Sequence, residues 1–171
     1  ALTAAGTLAM VVAPFAAPGT PIMSNYVPVI DSPVFLGGLA LFGAGFGIAA
    51  LRALLVPAPV GVQLPADGAL RFGLNAAAVA AAMTLLSLAW TAFELRSLGS
   101  LDMATWYELL FWGPGHVVQF CWTLMVMVVW LWLGSLSGAR IALSPRVVAM
   151  LFGIGLASVF ATPLIQLAWD V

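Results

Sequence analysis

Five stretches of the chain carry almost no charge and run close to the length needed to cross a bilayer: about 1–17, 34–56, 72–95, 106–133 and 146–169. A membrane helix needs about 20 consecutive apolar residues. The pattern therefore predicts an all-α fold, a polytopic transmembrane helical bundle of about five spans in one transmembrane domain over residues 1–171. The first stretch is short, contains Pro14 and reads as the end of a span. Between it and the second lies PGTPIMSNYVPVIDSP (residues 18–33), whose Pro, Ser, Asn and Asp predict a structured loop rather than a helix. In the second stretch Gly43 and Gly47 form a GxxxG pair, which predicts close approach of a neighbouring helix. The Ala-rich middle of the third (Asn75 to Met83) predicts the same. Thr105-Trp106-Tyr107-Glu108 has the form of a capping box and predicts the start of the fourth helix near Thr105. Trp106, Tyr107 and Trp112 towards one end of that helix, and Trp130 and Trp132 towards the other, match interfacial aromatic belts.

Composition narrows the class. Hydrophobic residues make up 64% of the 171 and charged residues only 6%, against about a quarter charged in soluble domains, and mean hydropathy is +1.15. Five Lys+Arg against six Asp+Glu leave a net charge of -1, with no basic stripe to neutralise a run of phosphates, so a nucleic-acid partner is excluded. All the basic residues are arginine. Arg52 and Arg71 flank one loop, Arg140 and Arg146 another, and Arg96 alone falls at the opposite end. By the positive-inside rule the 57–71 and 134–145 loops face the cytoplasm. His116 then lies in the outer half of the bilayer, roughly 10 Å below its boundary by a rise of about 1.5 Å per residue.

Candidate chemistry centres on Tyr107 to Trp122, YELLFWGPGHVVQFCW. Pro114 withholds a donor from the Leu110 carbonyl, and Gly113 and Gly115 flank it, which predicts a kink or opening before His116. An ionisable group inside a span is a functional candidate by default. A histidine hydrogen-bonded to a carbonyl or a neighbouring Thr is the equally open alternative. On the fourth helix His116, Gln119, Phe120, Thr123 and Met127 share a helical rhythm; so do Thr84, Ser87, Thr91 and Glu94 on the third, and Ser158, Thr162 and Gln166 on the fifth. Convergence of the three would form a polar pocket suited to a metal, a haem edge or a proton path. The hydroxyls alone are better read as bonding the carbonyl four residues back on their own helices. Glu94 and Glu108 could relay protons, but acidic residues at span ends are better read as interfacial, Glu94 pairing with Arg96 or water and Glu108 closing the capping box. Cys121 and the methionines read as packing groups. With a single His and a single Cys, a metal held by His116 needs ligands from elsewhere, because catalytic sites take three or four.

The segment Trp112-Gly113-Pro114-Gly115-His116-Val117-Val118-Gln119-Phe120 resembles the sixth helix of the haem-copper oxidase catalytic subunit and its nitric-oxide-reductase branch. Asn25 to Pro33 and Pro163 to Asp170 resemble divergent members of that superfamily less specifically. The resemblance implies that the five stretches correspond to the third to seventh helices of a longer polypeptide or of a split subunit. It implies His116 as the metal and cofactor ligand, Gln119 and Thr123 around it, and Glu94 or Glu108 on a proton path. The cofactors would be haem and copper, or non-haem iron, completed by residues outside the chain. The partners would be lipid, other membrane subunits and a cytochrome or quinol electron donor, in a bacterial inner membrane. Phe120 departs from the family, where a tyrosine or a glutamate is common. Any oxidoreductase activity would belong to the whole respiratory assembly. Two other functions fit the same residues: a non-catalytic scaffold or accessory subunit, with or without a bound pigment or haem, and half of a transporter whose Pro/Gly segment lines a substrate path.

Overall fold

The computed structural model of the chain describes residues 1–24, 27–139 and 142–168, without the side chains of Gln166 and Leu167. Asn25, Tyr26, Arg140 and the stretch from Trp169 onward, all used in the sequence reading, lie outside the described residues, as does the Gln166 side chain. The fold is all-α apart from one small hairpin. Helix α1 is Leu2–Ala16, α2 Pro33–Leu55, α3 Ala66–Glu94, α4 Met103–Leu136, α5 Pro145–Val159 and α6 Ala161–Ala168, and a short 3-10 turn follows α3 at Leu95–Ser97. Four segments are long and apolar enough to cross a membrane: Pro33–Leu55, Ala66–Ser97, Met103–Leu136 and Pro145–Ile165. The chain is an integral membrane protein. Helix α1, at 15 residues, is apolar but shorter than these.

Several boundaries differ from the sequence reading for identifiable reasons. The fifth stretch, one candidate span at Pro145–Ile165, is made of two helices, α5 and α6, that meet at Phe160. Pro163, in the first turn of α6, has no N–H for the Val159 carbonyl, and the ladder ends at Val159 and restarts at Ala161. Conversely, α4 is one continuous helix through Pro114, so the chain does not leave the helix before His116. A proline costs one hydrogen bond, and membrane helices tolerate that where neighbours satisfy the freed group; Leu110, Pro114 and Gly115 are all buried. The start of α4 is set by Asp102, not Thr105. Asp102 accepts the Thr105 N–H at 3.0 Å and the Thr105 hydroxyl at 2.6 Å, the N-cap geometry with Thr105 as third helical residue. Glu108 therefore lies a turn too deep to close a capping box. The 18–33 loop contains an antiparallel hairpin, β1 (Thr20–Ile22) with β2 (Val29–Asp31), pairing Thr20 with Asp31 and Ile22 with Val29.

The chain divides into two compact units. The first comprises residues 1–49 and 88–115, the second 50–87 and 116–171, and α2, α3 and α4 each contribute to both. In the first unit α1 crosses α2 at backbone contact. A Cβ on Gly6 would lie 2.5 Å from both the Gly38 carbonyl oxygen and the Phe42 nitrogen, and one on Gly45 would lie 2.6 Å from the Thr3 nitrogen. Close approach was expected at Gly43 and Gly47. Gly43 faces open space, and Gly38 and Gly45, seven residues apart and hence on one face, make the contact instead.

The second unit is built on the alanines of α3. Ala76, Ala77, Ala80 and Ala81 are buried with Val117, Cys121, Leu124 and Val128 of α4 and Phe152 and Val159 of α5. Phe152 is fully buried, and its ring tip would lie 2.6 Å from a Cβ on Gly73. At one end of this unit residues 58–60 are strapped along α3. Asn75 takes the Ala58 N–H on its Oδ1 and donates its Nδ2 to the Ala58 carbonyl, both at 2.9 Å. Arg71 donates to the Pro59 carbonyl at 3.1 Å and pairs with Asp67 at 3.1 Å. Gly68 leaves room for the Val60 carbonyl, which would stand 2.1 Å from any Cβ there. Gly68, Arg71 and Asn75 thus form one face of α3 that receives an extended backbone.

Two outcomes follow from this packing. Gly6→Val forces two backbones apart and lowers unfolding stability in detergent by ~1–3 kcal/mol, the usual cost of overpacking, whereas Gly43→Ala leaves it unchanged within about 0.5 kcal/mol. Asn75→Ala removes both bonds to Ala58 and costs ~1–3 kcal/mol, read by thermal unfolding and by faster proteolysis at residues 57–65.

Candidate functional site

Helix α4 has two seams. In the second unit the inward seam is Val117, Cys121, Leu124 and Val128, all buried. On the other side His116, Gln119, Thr123, Val126 and Trp130 are all exposed, spaced 3, 4, 3 and 4 residues apart. Phe120 and Met127, expected to share the His116 face, are half-buried at the flank. Gln119 is the seventeenth of the 34 residues of α4 and so lies at its midpoint. At about 1.5 Å per residue the helix is roughly 51 Å long, and its ends overhang a hydrocarbon layer of about 30 Å by roughly 10 Å each. His116 then lies roughly 10 Å inside the hydrocarbon when the span is centred.

Hydroxyls of α3, α4 and α5 bond within their own helices. Thr84 is buried and donates its hydroxyl to the Ala80 carbonyl at 2.9 Å. Thr123 donates to the Gln119 carbonyl at 2.8 Å and Ser158 to the Ile154 carbonyl at 3.0 Å, both on exposed surfaces. These hydroxyls are satisfied four residues back on their own helices, leaving no unmet hydrogen bond to bring helices together. Ser87, Glu108, Trp112 and His116 each have an interaction partner. Glu94 is half-buried and its carboxylate accepts the indole N–H of Trp90 one turn earlier, while its carbonyl accepts the Ser97 hydroxyl at 2.7 Å. Glu94 and Glu108 belong to the first unit and His116 to the second. Among the described residues no three His, Cys, Asp or Glu side chains form a group able to hold a metal ion. A metal on His116 therefore draws its other ligands from outside these residues.

Two polar groups and one extension of a helix face were not legible in the sequence. The Asn75 clamp looked like part of an apolar, Ala-rich span, although an Asn within such a span was the available signal. Asp102 was overlooked because the S/T-x-x-E pattern three residues later matched a motif. Val126 and Trp130 extend the His116 face, which a 3.5-residue repeat would have disclosed.

No family model matches the chain, and no solved structure matches it. An uncharacterized protein of Rickettsia prowazekii is 25% identical over 127 residues, which cover 72% of this chain and 24% of that protein. The chain thus spans about a quarter of the length of the relative it matches.

The Asp102 cap gives a pH signature. The hydrogen bonds from the Thr105 hydroxyl and backbone hold its carboxyl below the usual carboxylate range. A depressed folded value stabilises the helix start above the unfolded value of about 3.9, and that contribution is lost as pH falls through the lower folded value. Protection of the amides of residues 103–106, taken as exchange relative to the intrinsic rate at each pH, should fall below pH 4, and Asp102→Ala should show the reduced protection already at pH 7.

Proposed function

We propose that the chain is the membrane-embedded part of a larger respiratory assembly of the haem-copper-oxidase type, in which α4 presents His116 to a metal or haem whose other ligands come from neighbouring polypeptide. The observation that carries this reading is the outward position of His116 within a span. An ionisable side chain within a span is a functional candidate by default, and an exposed imidazole is open to a metal centre completed by neighbouring polypeptide. The motif from Trp112 to Phe120 supports the same assignment. Gln119 and Thr123 continue the face on which a cofactor would sit. Glu94 and Glu108 lie towards the opposite end of the spans from Arg52 and Arg71, where proton entry would be needed. The assembly would be in a bacterial inner membrane with the 57–71 and 134–145 loops cytoplasmic, the orientation favoured by arginine placement. Its chemistry would be reduction of a small gas such as oxygen or nitric oxide, with electrons from a cytochrome or quinol.

A second reading has its own support. His116 already has a partner in the chain, and the hydroxyls of Thr84, Thr123 and Ser158 are satisfied within their helices. In that case the chain is a non-catalytic membrane scaffold or accessory subunit. The two separate on the native complex. Under the first reading metal analysis finds copper or iron, haem absorbance is present, and His116→Ala shifts the optical spectrum and lowers metal content at unchanged protein yield. Identical spectra and metal content in the variant would overturn the redox reading and leave the scaffold.

A further inference from the structure

We propose that residues 56–59 lie against lipid acyl chains as an extended strap held by Asn75, so that the chain leaves the bilayer near Val60 and not at the end of α2. The inference rests on the membrane setting alone. It holds whichever face of the membrane carries this loop and does not depend on the metal assignment. Depth comes from α3. The span Ala66–Ser97 has 32 residues, about 48 Å at 1.5 Å per residue, and overhangs a hydrocarbon layer of about 30 Å by roughly 9 Å at each end. Hydrocarbon then begins about six residues in, near Phe72, where the apolar run following Arg71 also begins. Asn75 lies ~4.5 Å inside that boundary, and Ala58, bonded to it through both its N–H and its carbonyl, lies at the same depth. Arg71 holds the Pro59 carbonyl at the boundary, and Gly68 makes room for the Val60 carbonyl about one turn further out. The strap therefore runs outward, antiparallel to α3, with Val56 at its inner end.

The backbone chemistry fits that depth. Non-helical backbone is tolerated in hydrocarbon only where protein satisfies its polar groups. Pro57 and Pro59 have no N–H to satisfy. The donor between them, on Ala58, goes to the Asn75 Oδ1, the Ala58 carbonyl accepts the Asn75 Nδ2, and the Pro59 carbonyl accepts from Arg71. No N–H in residues 57–59 is left for water.

The side chains point to the occupant. From Ala53 to Val62 the sequence is ALLVPAPVGV, without a polar side chain, and Leu55, Val56, Pro57 and Pro59 are all exposed. Such a surface is well solvated by acyl chains and has no group to hydrogen-bond a partner helix. Arg71, 44% exposed, stands at the level of the headgroups with its aliphatic stem towards the apolar side. Polar side chains resume only at Gln63 and Asp67, at and beyond the turn where Gly61 (φ 89) and Leu64 (φ 47) adopt left-handed conformations.

Collisional relaxation of single nitroxide labels in lipid bilayers tests the placement, with oxygen as the lipid-soluble probe and a neutral nickel chelate as the aqueous one. In a Cys121→Ser background, labels on Val56→Cys and Pro59→Cys should meet oxygen several-fold more than nickel, and a label on Gln63→Cys should show the reverse. Asn75→Ala frees the Ala58 N–H and carbonyl, so the strap should lift towards water and nickel access at position 56 should rise several-fold, with access at a Ser137→Cys label in another loop unchanged. Nickel access at 56 and 59 equal to that at 63 would make the strap an aqueous loop. Low access to both probes would give it a protein cover, and unchanged access in Asn75→Ala would remove Asn75 as its tether. Each of these three results would overturn the proposal.

Discussion

Hydrocarbon supplies no hydrogen bonds, and the placement of nearly every polar group described here answers to that fact. Backbone groups are consumed by helices. Hydroxyls in the apolar helices turn back on their own helices, as Thr7 does on Thr3, Thr84 on Ala80 and Ser158 on Ile154. Asn75, a residue with two donors and an acceptor to satisfy, is placed where the loop before α3 brings it a backbone N–H and a carbonyl together. The middle of α4 carries His116, which has a partner in the chain, and Gln119 on its exposed side at mid-span depth. Their position makes that face the functional candidate under either reading of the protein.

Packing in such a bundle cannot lean on expulsion of water, so it leans on close contact. In the first unit the contact is backbone on backbone, with Gly6 against Gly38 and Phe42. In the second, alanines of α3 form a flat surface and Gly73 opens a notch for the Phe152 ring, which lies beside Val128. These are different solutions to one requirement, and both depend on residues whose lack of bulk is their contribution. They also leave α4 free to use opposite sides for opposite purposes, one stripe of Val, Cys and Leu facing inward and one stripe with His, Gln and Thr facing out.

The hydrophobic run lengths made the fold class and four spans readable, since length and composition are what a bilayer selects. Ends were less legible. The Thr105 motif masked Asp102 because any carboxylate or hydroxyl one turn before a helical N–H can cap it. Pro114 and Pro163 have the same covalent structure, yet one lies inside a continuous helix and the other follows a break, and only packing around Leu110 and Val159 separates them. The GxxxG rule named the right helix, but Gly43 faces open space while Gly38 and Gly45 meet α1, because which small residues meet α1 depends on a crossing geometry that composition does not encode. The polar residues of α4 were visible as a group; their outward direction was not, since periodicity defines a face without saying whether it is inside.

Collision of lipid-dissolved oxygen with nitroxide labels, scanned singly along residues 116–130 in native-composition bilayers, tests most directly whether protein covers the outward face of α4. The account predicts low oxygen access at 119, 123, 126 and 130, comparable to the buried positions 121, 124 and 128, with maxima at Met125 and Val129. High access along the whole seam, equal to that at Met125, would contradict it and leave His116 and Gln119 facing lipid.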